Sequence, residues 1–258
     1  MISDVEKLTE IYKEYYSKAD SVIHRWLHIE NVARGAAFFV RMAGGDKRRQ
    51  DMAKAGGILH DVTRKKVEEN DDHDRTSAEK ADIVLRDYSF SDEERSDIVM
   101  SIRDHRGARS WESDVHSSVF LADKLLEHMG PMIAVRGGMW VGESGNAYKG
   151  STPAEKALSH YGKAKARVFD KRLYPEYTHA LFDYQIRWVD DCMGALRKGE
   201  PWAVDMNERM FYAGMAGVNP EKVIESFEPK DLMQKKYLDE VKEYLSDPML
   251  SKYAKLMR

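Results

Sequence analysis

The sequence contains one cysteine, Cys192. That excludes an intrachain disulfide and any zinc site built on paired thiolates. No stretch approaches the roughly 18 consecutive apolar residues that a membrane-spanning helix requires, and the N-terminus lacks the apolar core of a secretory signal. These absences lead to the expectation of a cytoplasmic protein with no membrane partner. A charge excess is also missing: 41 Lys and Arg against 44 Asp and Glu leave a net charge of −3. Nothing global therefore draws the chain to nucleic acid or to anionic lipid. Alternating polar and apolar runs, the mark of strands, do not occur, nor do internal repeats. What is present is an ordinary globular composition, 42% hydrophobic and 33% charged, long enough for one large helical domain or two small ones. The expected fold class is all-α.

Helical spacing of apolar residues and N-terminal cap signals give the order of elements. Val5, Leu8, Ile11, Tyr12, Tyr15 and Tyr16 place a helix over residues 2–18. A second runs from about Asp20 to Met42 and stops at Gly44-Gly45. Asp46 caps a third, which ends near His60-Asp61. Two capping boxes, Thr76-Ser-Ala-Glu79 and Ser91-Asp-Glu-Glu94, start helices at about 77–88 and 92–105. Another covers Ser113 to His128, up to Gly130-Pro131. The glycine-rich stretch Gly137 to Gly150 reads as irregular. Thr152-Pro-Ala-Glu155 opens a helix over about 153–172, and a further helix over 175–198 is ended by Gly199. Pro201, Pro220 and Pro229 divide a final set of shorter helices.

The dipeptide His60-Asp61 closes an apolar helical run, Ala55 to Leu59. Burying an imidazole and a carboxylate side by side is costly unless they are paired or bound to a cation. Asp123 poses the same problem, inside Phe120-Leu-Ala-Asp123-Lys-Leu-Leu. Other His residues fall at helix ends or on inner faces: His28, His73 and His105. His24 lies four before His28, a spacing that can bind zinc on a helix. Arg25 follows it, so the glutamate of the zinc-protease motif is absent, and His24 reads as a supporting or surface residue. His116 reads as a pocket-lining side chain, and His128 and His179 as uninvolved.

The order His28, His60-Asp61, Asp123 on successive helices resembles the HD-domain superfamily of metal-dependent phosphohydrolases. The likeness covers roughly residues 20–130. It implies that His28, His60, Asp61 and Asp123 hold one divalent transition metal ion (Fe, Mn, Co, Ni or Zn), and that His73 and His105 complete a second, with Asp61 bridging. Ala122-Asp123-Lys124 is similar to the branch that hydrolyses dinucleoside polyphosphates. Asp123 through Arg136 and His160-Tyr161 is similar to the branch that releases pyrophosphate from nucleoside triphosphates, with the departure that Leu121 replaces an acidic residue. The resemblance implies a helical-bundle core at 1–130 and an extension at 131–258 that packs on or covers the active site. It also implies a small-molecule phosphate substrate, a nucleotide in kind, hydrolysed by a metal-activated water with Asp61, Arg64 and Lys124 as catalytic groups. Arg25, Arg64, Lys124 and Arg136 are the expected substrate-binding cations. Glu68 or Glu69 is an alternative general acid or base.

Two other readings fit the same ligands. One is an HD-type diiron oxygenase; the other is a nucleotide-binding module without turnover. Oligomeric state is open on sequence grounds.

Overall fold

In the computed structural model the described residues are 3–64, 72–108, 110–165 and 168–258, and they form thirteen α-helices and no strand. The protein is all-α. The chain divides into two compact units, one of Met1–Asp20 with His24–Lys124, the other of Ser21–Ile23 with Leu125–Arg258.

The first unit contains α1 (Asp4–Ser17), α2 (Trp26–Met42), α3 (Lys47–Leu59), α4 (His73–Leu85), α5 (Asp92–Arg103) and α6 (Asp114–Phe120). Side-chain caps start several of them. Ser3 and Glu6 form a reciprocal capping box on α1, as Ser91 and Glu94 do on α5, and the Asp46 carboxylate accepts from the Arg49 amide at the start of α3. The core joins Phe39 of α2, Ile58 and Leu59 of α3, Ile98 and Ile102 of α5, and Val119 of α6, all fully buried. Burying side chains of this kind stabilises by about 1.5–3 kcal/mol each. α3 packs tightly on α2 because position 57 is glycine: a Cβ there would land on the Ala33 backbone. This approach delivers the residues at the end of α3 into the unit's interior. Tyr15 of α1 fixes the turn that follows, donating to the Val62 carbonyl at 2.8 Å.

Two elements of this unit differ from the sequence reading. α4 begins at His73, so Thr76 and Glu79 lie within its first turns and do not cap it. The Thr76 hydroxyl is engaged instead with that of Thr63, at 2.6 Å. The expected helix over Ser113–His128 is α6 followed by a π-helical turn, Leu121–Glu127, which carries Asp123. A π turn holds one more residue than an α turn and so changes which side chains point inward.

The second unit contains α7 (Met132–Glu143), α8 (Pro153–Lys165), α9 (His179–Lys198), α10 (Pro201–Met215), α11 (Pro220–Ser226), α12 (Leu232–Ser246) and α13 (Ser251–Leu256). Half of the stretch expected to be irregular, Gly137 to Glu143, is helical in α7. Its glycines serve packing: a Cβ on Gly142 would meet the Phe211 carbonyl oxygen, so α10 lies almost backbone to backbone with α7. Dispersion and burial gained along that contact outweigh the low intrinsic helix propensity of glycine, about 1 kcal/mol per residue. Of the helix expected over 153–172, Pro153–Lys165 is α8, residues 166–167 lie outside the described residues, and Lys171–Leu173 form a short 3-10 turn. Within this unit Arg136 is buried against Glu127, and its Nη2 donates to the Ile23 carbonyl at 3.0 Å. The other Glu127 oxygen accepts from Tyr244 Oη at 2.8 Å.

Candidate metal centre

His60 is the C-terminal cap residue of α3 and Asp61 follows it. His60 Nδ1 lies 2.8 Å from the Gly57 carbonyl. A carbonyl only accepts, so in the neutral ring Nδ1 carries the proton and Nε2 keeps the lone pair. The same device orients His105, whose Nδ1 is 2.6 Å from the Ile102 carbonyl one turn back at the end of α5. Backbone contacts of this type fix the tautomer of metal-binding imidazoles.

These side chains converge on Asp61. Its Oδ2 lies 3.3 Å from His60 Nε2 and 3.8 Å from the Nε2 atoms of both His28 and His24. Its Oδ1 lies 3.3 Å from His73 Nε2 and 3.8 Å from His105 Nε2. Asp123 Oδ1, from the π turn, is 3.6 Å from His28 Nε2. Among the described residues, three sets have donor atoms mutually within 4.8 Å: His24, His28 and Asp61; His28, His60 and Asp123; Asp61, His73 and His105. All seven residues are buried.

Most of these separations exceed good hydrogen bonds. They match donors sharing one ion: at about 2.1 Å from a metal, two ligands sit roughly 3.0–4.2 Å apart. The buried atoms His60 Nε2 and Asp61 Oδ1 make no hydrogen bond among the described residues, a cost that a cation would remove. Imidazole nitrogens with carboxylate oxygens suit divalent transition metals. By these criteria the cluster could hold a metal ion.

The protonation balance agrees. Burial alone would raise the Asp61 carboxyl, but His60, Arg64 and His73 beside it hold it well below the ordinary carboxylate range. Burial disfavours charge on His60, yet the carboxylates of Asp61 and Asp123 outweigh it, so His60 keeps a proton more tightly than usual. In His105 burial prevails, aided by repulsion from His60, and its proton is lost far more readily. The cluster thus attracts positive charge in one half and presents a neutral imidazole in the other.

The expected substrate cations are placed differently from one another. Arg64 Nη1 contacts His73 Nε2, lies 3.1 Å from His73 Nδ1 and stands 3.9 Å from Asp61 Oδ1. Lys124 Nζ contacts Asp123 Oδ2. Each of these two side chains retains 12% exposure, against 3% for Asp61 and 4% for Asp123, so they line the edge of the cluster. Arg25 occupies the N-cap position of α2, and its Nε donates to the Ala19 carbonyl at 3.1 Å. Arg136 is in the ion pair with Glu127. His116 faces Asp104, at 2.7 Å. Glu68 and Glu69 lie outside the described residues. Sequence reasoning left His24 aside, and its spacing from His28 was the available signal.

No helix of the described residues is long and apolar enough to cross a membrane. No family model and no curated protein matches the chain. Among solved structures the chain is similar to Bacillus subtilis YpgQ in complex with ADP, with a TM-score of 0.56 and 17% identity, covering 78% of this chain and 100% of that one. It is also similar to Bacillus subtilis YpgQ described without ADP, with a TM-score of 0.54, 18% identity and coverage of 77% and 98%. At this level of identity the likeness is one of fold.

Proposed function

We propose that this chain is an HD-type metal-dependent phosphohydrolase acting on a small-molecule phosphoester or phosphoanhydride, with a nucleotide as the substrate class. The observation that carries the reading is the division of Asp61: one carboxylate oxygen faces His60 and His28, the other faces His73 and His105. A carboxylate set this way is suited to bridge two ions. His28, His60, Asp61 and Asp123 would hold the first, and Asp61, His73 and His105 the second. Bound divalent ions supply Lewis-acid stabilisation of phosphoryl oxygens and a water of lowered pKa.

The chain's own residues do the rest. Buried imidazoles with their Nδ1 protons committed to carbonyls are rigid donors. Arg64 and Lys124 stand beside the two ends of the cluster, next to Asp61 and Asp123. With Asp61 and Asp123 engaged as metal ligands, Arg64 and Lys124 would be placed to meet phosphate oxygens. Arg136 and Arg25 are held by Glu127 and the Ala19 carbonyl, which supports packing roles for them in place of the substrate contacts expected from sequence. A side-chain nucleophile is not required: burial pushes the Cys192 thiol up to about 12, so it stays protonated. The nucleotide assignment draws on the fold likeness to YpgQ, a protein described in complex with ADP.

The test is a panel of nucleoside mono-, di- and triphosphates incubated anaerobically with the Mn(II)-loaded protein, read as phosphate or pyrophosphate release. Release that disappears on chelation supports the proposal. Tight nucleotide binding with no product points to the binding module, and oxygen consumption by the iron-loaded protein points to the oxygenase; either result overturns the hydrolase reading.

A further inference from the structure

Resting on that reading, we infer that His24 is a fifth protein ligand of the first metal ion. His24 closes the 3-10 turn Val22–His24 that leads into α2, and His28 lies in the first turn of that helix. Their rings meet edge to face, with centroids 5.4 Å apart. Both Nε2 atoms are 3.8 Å from the same oxygen, Asp61 Oδ2. That distance is too long for a hydrogen bond and falls within the range for two donors on one ion.

The sharing pattern decides which ion His24 joins. His28 belongs to the set with His24 and Asp61 and also to the set with His60 and Asp123. It turns the same nitrogen, Nε2, toward both carboxylates. An imidazole nitrogen has one lone pair and binds one ion. Asp61 Oδ2 ties the sets together, since it faces His60 Nε2 at 3.3 Å as well as His24 and His28 at 3.8 Å; the inferred centre joins His24, His28, His60, Asp61 and Asp123. Five protein donors would leave one position open on a six-coordinate ion. That arrangement favours Mn, Fe, Co or Ni over the four-coordinate geometry typical of Zn.

The experiment compares the wild-type protein with His24→Phe, which keeps a buried ring and removes the donor, and with His24→Ala. Manganese(II) titration, an imidazole count from X-ray absorption of the Mn-loaded protein, and circular dichroism are read together. The expected result is a folded variant whose Mn(II) affinity is at least about tenfold weaker and whose imidazole count is lower by one. A metal-edge anomalous map of the wild type is expected to place an ion within bonding distance of His24 Nε2. If that ion lies beyond about 3 Å, or if folded His24→Phe matches the wild type in affinity and imidazole count, His24 is not a ligand. Should both variants fail to fold, the wild-type map decides alone. A wild type that binds no metal removes the proposed function as well; a metal-binding wild type with an unaffected variant removes only this inference.

Discussion

His60 and Asp61 are consecutive in the chain, and the turn at the end of α3 brings His60 Nε2 to 3.3 Å from Asp61 Oδ2. Five imidazoles surround that carboxylate. Asp61→Asn keeps the shape and removes the charge. It is expected to lose bound metal, measured by elemental analysis, and to lower phosphate release by more than about 100-fold, beyond what loss of an outer-shell partner causes. Retention of full metal content and activity would refute the centre described here.

Arg64 and Lys124 border the cluster without being metal ligands. Arg64→Gln and Lys124→Gln are expected to keep the wild-type metal content while kcat/KM falls about 10- to 100-fold each, the scale of one charged hydrogen bond. Steady-state kinetics beside metal analysis separates this from a loss of ions.

Gly142→Ala places a methyl group against the Phe211 carbonyl. α7 and α10 must then part, at a cost of about 1–3 kcal/mol. Urea unfolding measures it, and an unchanged midpoint would show that the helices separate freely.

Glu127 pairs with Arg136 and also accepts from Tyr244. Glu127→Ala leaves a buried guanidinium without its carboxylate and is expected to destabilise by about 3–5 kcal/mol. A double variant that also replaces Arg136 with methionine recovers part of that loss, as a double-mutant cycle in urea reads directly.

His160 supplies a pH dependence in the second unit. Burial, reinforced by His128 and Lys163, lowers it from 6.5 to about 3. Between these values the unfolded chain takes up a proton that the folded chain refuses. Its contribution to stability is therefore complete above about 6.5 and declines as pH falls toward 3. Melting curves of the wild type should drop more steeply over this interval than those of His160→Phe; parallel curves would contradict the assignment.

Much of the site was legible because its residue types are out of place. A carboxylate such as Asp123 among Leu and Ala, or a His-Asp pair closing an apolar run, is costly when buried without a cation, and that cost is visible in a string of letters. Helix starts at Ser91 and Asp46 were equally legible, because capping is a contact over three residues. Thr76 misled because the same cap letters also occur inside a helix begun upstream at His73. The run from Gly137 misled because glycine's weakness as a helix former is offset only by a partner, α10, some 60 to 80 residues away.

The amino-acid order alone determined the all-α class, the positions of most helix starts and the identity of buried polar residues that could hold a cation, since each follows from local spacing, capping or the expense of burying charge. Tertiary structure decided which of those residues meet. It set His24 among the donors, turned the two oxygens of Asp61 toward different imidazoles and gave Arg136 to Glu127. Those outcomes depend on how closely α3 approaches α2 at Gly57 and on the extra residue in the π turn around Asp123. Packing distances of that kind arise from the summed fit of many distant side chains, which no short window of sequence contains.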